Sequence, residues 1–347
     1  MVKKNITYQG GAEDYKGFIR LSSNENNYGP TSSVTKVIKE NAINSNIYPE
    51  INSQSLSRQI AISNNIKNEN VIVGAGSDEI LQMIFHALTK PGDLVMHTKY
   101  SFAMYEIFAK AFNCKSIIYD DIDFQFSLEK FRKKYSSKVK VIFIANPNNP
   151  TGAIFYRKEL LKFIQSINKK TLIVLDSAYS EYIQDPLYSD GLEFVKKYNN
   201  IIVTKSFSKI FSLGGLRIGW GYSHSNIIKK LFQVKKPFNV NRLASEAAIE
   251  SLKNKSWLRK QSKLNQINKK FFIKNLDNSK FEIIDTLANF ILIKCESEKM
   301  INRLSLFLNK HKITVRVLNS YGLKNYIRVT IGTAKEMQTA MKVFNKF

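Results

Sequence analysis

From about residue 70 the chain alternates short apolar runs with amphipathic stretches. Val71-Ile72-Val73, Leu94-Val95-Met96, Ser116–Tyr119, Val139–Ala145, Leu172–Asp176, Ile201–Thr204 and Ile218–Tyr222 read as strands. Between them, residues 77–89, 101–112, 127–134 and 157–168 repeat their apolar positions at helical spacing. Parallel strands need crossover connections, and helices of this length supply them. The pattern therefore predicts an α/β fold: a mostly parallel, seven-stranded sheet between helices.

After about residue 225 the rhythm changes. A helical region runs to about 275 and is interrupted at Pro237 and Asn239. Strands follow at Glu282–Ile284, Phe290–Lys294, Thr314–Val317 and Tyr326–Thr330, with helices at 297–310 and 334–346. This is a smaller α+β unit. The first 30 residues are loop-rich and are expected to pack with it. The expected division is a large domain at 31–240 and a small one built from 241–347 and an N-terminal arm, 1–30. No repeat or low-complexity linker interrupts the pattern.

Composition narrows the setting. A chain of 347 residues, 44% hydrophobic, can bury a sizeable core without staples. Its two cysteines, Cys114 and Cys295, do not make a disulfide framework and suit a reducing cytoplasm. The start, Met1-Val2-Lys3-Lys4, has no apolar run behind it, so no secretory signal is expected. No stretch approaches the ~20 apolar residues of a membrane span. The net charge of +25 raises the question of nucleic acid. The lysines are dispersed in doublets on polar helix faces, however, and no nucleic-acid module is recognisable. Attraction for anionic metabolites is the expected consequence. His86, His97, His224 and His311 lack a metal-ligand spacing, and no metal is expected.

The chemistry concentrates at strand ends. Ser206-Phe207-Ser208-Lys209, with Arg217 eight positions on, sets one lysine among anion-binding groups. In a lysine-rich chain Lys209 alone would read as a surface residue. With a cation beside it, its amine is eased toward the neutral form that attacks an aldehyde to give an imine. Asp176 closes the strand Leu172–Leu175, where open α/β sheets bind their ligands. A carboxylate there can pair with a protonated pyridine nitrogen; its alternative role is a turn or cap. Tyr179 lies three residues on, within reach of a ring hydroxyl. Asn149, in the rigid turn Asn146–Gly152, can approach the same oxygen from the other side. The loop Gly74-Ala75-Gly76-Ser77-Asp78-Glu79 enters a helix, where small residues and free amides favour a phosphate. Ser77 as a plain helix cap is compatible with that role. The residues together point to pyridoxal 5'-phosphate.

These pieces, in this order, resemble the fold-type I pyridoxal-phosphate aminotransferases, and most closely the histidinol-phosphate aminotransferase family. The resemblance rests on Leu21–Asn26, Tyr48-Pro49, Gly74–Glu79, Tyr100-Ser101-Phe102, Asn149–Gly152, Ser206–Gly219, Asn239–Asn241 and Tyr326–Thr333, and spans nearly the whole chain. It implies that Lys209 carries the cofactor as an imine and shuttles the substrate's α-proton. It implies that Asp176 pairs with the ring nitrogen, Asn149 and Tyr179 hold the 3-oxygen, and Tyr100 stacks on the ring. Gly76, Ser77, Ser206, Ser208 and Arg217 would hold the cofactor phosphate, joined by Tyr48 from the neighbouring subunit of a homodimer with shared active sites. Arg328 would clamp the amino acid's carboxylate, with Asn24 beside it, and Arg316 with Tyr8 would meet the phosphate of a small phosphorylated substrate. Two positions depart from the family: Asn27, where proline is usual, and Arg242, where a small residue is common. The implied activity is amino transfer between glutamate or 2-oxoglutarate and a phosphorylated carbonyl compound. Two alternatives share these residues: amination of another keto phosphate, such as dihydroxyacetone phosphate, and decarboxylation of phosphoserine or phosphothreonine.

Overall fold

The computed structural model describes residues 16–120 and 126–347. Seven strands form the larger sheet: β2 (Val71–Gly74), β3 (Leu94–Thr98), β4 (Lys115–Tyr119), β5 (Val139–Ala145), β6 (Leu172–Asp176), β7 (Ile201–Ser206) and β8 (Gly219–Ser223). Their order is β2-β8-β7-β6-β5-β3-β4. Every neighbouring pair is parallel except those made by β8, which runs antiparallel to β2 and β7. Alternate residues of each strand enter opposite layers. Ile142, Ile144, Ile173 and Leu175 pack into one cluster, and Val141, Phe143, Leu172 and Val174 into the other. Burial on both faces explains why these strands read as continuous apolar runs.

A second sheet, in the order β1-β11-β12-β10-β9, contains β1 (Ile19–Leu21), β9 (Glu282–Ile284), β10 (Phe290–Lys294), β11 (Ile313–Val317) and β12 (Tyr326–Thr330). It buries Ile291, Ile293, Ile327 and Val329 against Phe272, Ile301, Leu304 and Phe344 from its helices. β1 pairs with β11 in parallel and carries the N-terminal segment onto this sheet. Three residues are too few for a periodic signal, so the sequence reads as loop there.

Helices Ser32–Ala42 and Gln54–Asn64 are also absent from the sequence pattern. Both are polar and carry only a few apolar positions. Val34, Leu56 and Ile60 nonetheless meet Ala244, Ala247 and Ala248 of helix Arg242–Lys253 in one cluster with the larger sheet. The helical region after 225 is split into Ser225–Phe232, Arg242–Lys253 and Lys255–Asn275. Asn241 caps the second of these, its side chain accepting from Ala244 N at 2.8 Å.

Register sets the stage for the site. Ala145 pairs with Asp176, and Asp176 with Thr204. The carboxyl ends of β5, β6 and β7 therefore stop level with one another, and their loops share one edge of the sheet.

Candidate active site

A cavity of about 310 Å³ opens at that edge. Asn24, Ser77, Asn149, Asp176, Tyr179, Ser206, Ser208, Lys209, Arg217, Arg316 and Arg328 all line it, although they span more than 300 positions of sequence. Ser22, Ser23, Phe102 and Tyr321 line it as well.

Lys209 follows β7 by a tight turn. Its Nζ donates to the Ser23 carbonyl at 3.3 Å and stands 5.6 Å from the centre of the Tyr179 ring. Arg217 adopts left-handed backbone geometry (φ 56°), which folds the chain back before β8. Its guanidinium reaches Ser208 Oγ at 3.3 Å and Asp78 Oδ1 at 2.9 Å. Ser206 Oγ accepts from Ser208 N at 3.0 Å. Serines, a guanidinium and the start of helix Ser77–Leu88 thus converge in one corner, the equipment of an anion site. Gly76 stands behind it with φ 93° and does not line the cavity. A Cβ there would run into Asp78 Oδ1 and Arg217 Nη2.

Asp176 is buried in the cavity wall. Its Oδ2 accepts from the Tyr105 hydroxyl at 2.8 Å, and its Oδ1 has no hydrogen-bond partner. Burial pushes the carboxyl's pKa up, and the Tyr105 hydrogen bond opposes that rise. Burial likewise raises the Tyr179 phenol, against the pull of Arg328, so it remains neutral. Tyr179 OH accepts from Asn24 Nδ2 at 2.9 Å. Arg328 donates to Asn149 Oδ1 at 2.5 Å and to the Ser22 carbonyl at 2.8 Å. Arg316 is its register partner on β11.

Two expected residues, Tyr48 and Tyr100, stand elsewhere. Tyr48 is 77% exposed, stacks on Phe238 at 4.7 Å, and does not line its own chain's cavity. Tyr100 packs with Leu292, Leu318 and Leu323, and its carbonyl accepts from Asn148 Nδ2 at 2.6 Å. Of the two aromatics in this motif, the one that lines the cavity is Phe102, two positions later. Ser101 Oγ donates to the Thr98 carbonyl at 2.7 Å in the turn that precedes the helix starting at Met104. Both aromatics belong to one short motif, and sequence alone does not choose between them. Tyr8 lies outside the described residues.

Pyridoxal phosphate suits these residues. A buried carboxylate oxygen without a donor can accept a pyridine N–H. Four cations, Lys209, Arg217, Arg316 and Arg328, line the cavity against two carboxylates, Asp78 and Asp176, and call for an anion.

The chain matches the family model "Aminotransferase class I and II" over residues 16–344. The chain belongs to the class I and II aminotransferases. A histidinol-phosphate aminotransferase of Caldicellulosiruptor saccharolyticus is 36% identical over 328 residues, covering 94% of this chain and 91% of that protein. The crystal structure of the Clostridium acetobutylicum histidinol-phosphate aminotransferase superposes with a TM-score of 0.86 at 25% identity, covering 94% of this chain and 98% of the other. That of the Sinorhizobium meliloti enzyme, in complex with pyridoxal-5'-phosphate, does so with a TM-score of 0.87 at 20% identity, covering 94% and 90%. This aminotransferase is a pyridoxal-phosphate enzyme of the histidinol-phosphate aminotransferase type, and its large sheet has the fold-type I architecture. Among the described residues, no helix is long and apolar enough to cross a membrane.

Proposed function

We propose that this aminotransferase exchanges an amino group between histidinol phosphate and 2-oxoglutarate, with glutamate as the product amino acid. One observation carries the reading: two arginines on neighbouring strands, Arg316 and Arg328, share a cavity with Lys209. Amino transfer from a phosphorylated amine to a dicarboxylic keto acid needs two anion clamps beside one amine.

Bound pyridoxal phosphate would withdraw electrons from the substrate carbon that bears the amine. Asp176 Oδ1 would accept the ring N–H, and Asn149 and Tyr179 would hold the 3-oxygen. Phe102, rather than Tyr100, would cover a ring face. Ser77, Ser206, Ser208 and Arg217 would bind the cofactor phosphate, with Gly76 keeping room for Arg217. Lys209 Nζ would be the base that takes the proton from the substrate carbon bearing the amine, and the acid that gives it back. Arg328 would grip the α-carboxylate of glutamate in two-point fashion, assisted by Asn24. Arg316 would bind the phosphate of one substrate and the side-chain carboxylate of the other.

A homodimer completes this reading. Ile43 (84% exposed), Ile47, Tyr48, Ile51 and Phe238 form an apolar surface group around a loop that Arg242 Nη2 braces through the Tyr48 carbonyl at 2.9 Å. Such a group marks a contact surface, and Tyr48 would reach the partner subunit's cofactor phosphate from it. A large domain at 31–240, a small one from 1–30 and 241–347, and a cytoplasmic setting belong to the same proposal.

The test is turnover of histidinol phosphate with 2-oxoglutarate by the cofactor-loaded enzyme. Turnover of dihydroxyacetone phosphate with glutamate, or release of carbon dioxide from phosphothreonine, without any action on histidinol phosphate would overturn the substrate assignment.

A further inference from the structure

Tyr105 lies wholly buried behind the cavity, in helix Met104–Ala111, and has no part in the roles above. Its hydroxyl donates to Asp176 Oδ2 at 2.8 Å. Its ring stacks on Phe143 of β5 (4.8 Å between centres, 19° between planes) and meets Phe102 edge-on (5.8 Å, 89°). The ring is thus wedged between the sheet and the aromatic that lines the cavity, and the hydroxyl has little freedom to leave Asp176. A carboxylate on a strand end can turn about its terminal torsion. One donor fixed on Oδ2 settles that rotation. Oδ1 is left as the open oxygen, buried and without a partner. Thr204 Oγ1 and the Ala178 N–H also lie near the carboxylate and favour its charged form less than Tyr105 does, but neither reaches Oδ1 in hydrogen-bonding geometry.

We propose that Tyr105 is a positioning residue for Asp176: its hydroxyl locks the carboxylate so that Oδ1 is presented to the ring nitrogen of bound pyridoxal phosphate. The inference rests on the cofactor assignment and goes beyond it by naming the group that orients the acid. Electrostatics agree with the geometry. Burial disfavours the Asp176 carboxylate, and the Tyr105 hydrogen bond is the leading influence in the opposite sense. Tyr105 itself is pushed well above the ordinary phenol range, first by burial and then by Asp176, so it stays a neutral donor. Asp78, Tyr179, Tyr321 and His97 are the other titratable groups around the pair. None of them donates a hydrogen bond to Asp176. A neutral hydroxyl suits the task, because a cation there would compete with the ring nitrogen for the same charge.

Tyr105→Phe removes the hydroxyl and keeps the ring. Its cofactor dissociation constant should rise about 10- to 100-fold, the scale of one hydrogen bond to a charged group. The pH midpoint of the bound cofactor's visible absorbance should move, and kcat should fall with KM for glutamate nearly constant. Phe143→Leu disturbs the same packing without touching a hydrogen bond, and should lower the melting temperature while leaving the absorbance midpoint in place. The proposal is overturned if Tyr105→Phe binds and titrates the cofactor within twofold of the native enzyme, or if Phe143→Leu shifts the midpoint equally. A native protein that fails to bind pyridoxal phosphate would sink the cofactor assignment and this inference with it.

Discussion

Arg316 and Arg328 stand directly opposite each other on β11 and β12, 9% and 6% exposed, in the wall of one cavity. Like charges in register across a strand pair oppose folding. Anions relieve that cost when they bind. Inorganic phosphate should therefore raise the melting temperature of the native protein, and Arg316→Ala should abolish much of that rise. Arg316→Ala should also weaken phosphorylated substrates by roughly 2–5 kcal/mol in kcat/KM, the scale for truncating a buried charge contact. Unchanged kinetics would remove Arg316 from phosphate recognition.

Asp176 links stability to pH in a definite sense. Burial raises its pKa above the ordinary 3.8, so the folded state favours the protonated acid and loses stability as pH rises through the folded value. In cofactor-free protein, Asp176→Asn should melt higher than the native chain at pH 7, and the difference should close as pH falls toward 4. The same substitution should strip the enzyme of tight cofactor binding. Melting curves of the cofactor-free proteins across that range are the check.

Glu106 has the opposite sign. Burial resists its ionisation, but hydrogen bonds from His97, Ser116 and Lys110 outweigh this and hold its pKa at about 2. Stability from this carboxylate is complete above 4.5 and is lost as pH falls through 2. At pH 7 Glu106→Gln should cost about 1–3 kcal/mol after allowance for its partial exposure. Denaturant titrations should show the gap shrinking on acidification below pH 4.5.

Gly219 backs the phosphate corner. A Cβ there would strike Ser77 N and lie 2.7 Å from the Gly76 carbonyl carbon and 2.9 Å from the Lys205 carbonyl oxygen. These are backbone atoms and cannot swing aside. Gly219→Ala should force the Gly76–Ser77 loop outward, destabilise the fold by about 1–3 kcal/mol and weaken cofactor binding. Equilibrium dialysis of the cofactor, beside a melting curve, separates the two effects.

The apolar group around Tyr48 gives an assembly prediction. Ile47→Asp should shift the protein toward monomer in sedimentation and lower its affinity for the cofactor. Mixing inactive Lys209→Ala subunits with Tyr48→Ala subunits should regain activity, because half of the sites in the hybrid carry one intact loop and one intact lysine. No recovery in hybrids shown to form would rule out a shared site.

The larger sheet was legible because its strands are buried on both faces and read as unbroken apolar runs between helices. The polar helices Ser32–Ala42 and Gln54–Asn64 were not, since their burial depends on alanines more than 180 positions away. Lys209, Asp176, Asn149 and Arg217 could be read from motifs at strand ends. Phe102 could not be told from Tyr100, because both sit in one short turn and only the folded chain shows which of them lines the cavity.

By itself the sequence determined the alternation of strands and helices, the acid and the lysine at strand ends, and the excess of cations that draws anions. These are local properties, carried by periodicity and by residue type. The tertiary structure decided what depends on register and on distant packing. It set Arg316 against Arg328, brought the N-terminal Ser22–Asn24 onto the lysine and arginine, and put Tyr105 on Asp176. Those contacts join residues from different elements, and only the closing of two sheets around one cavity brings them within reach of a hydrogen bond.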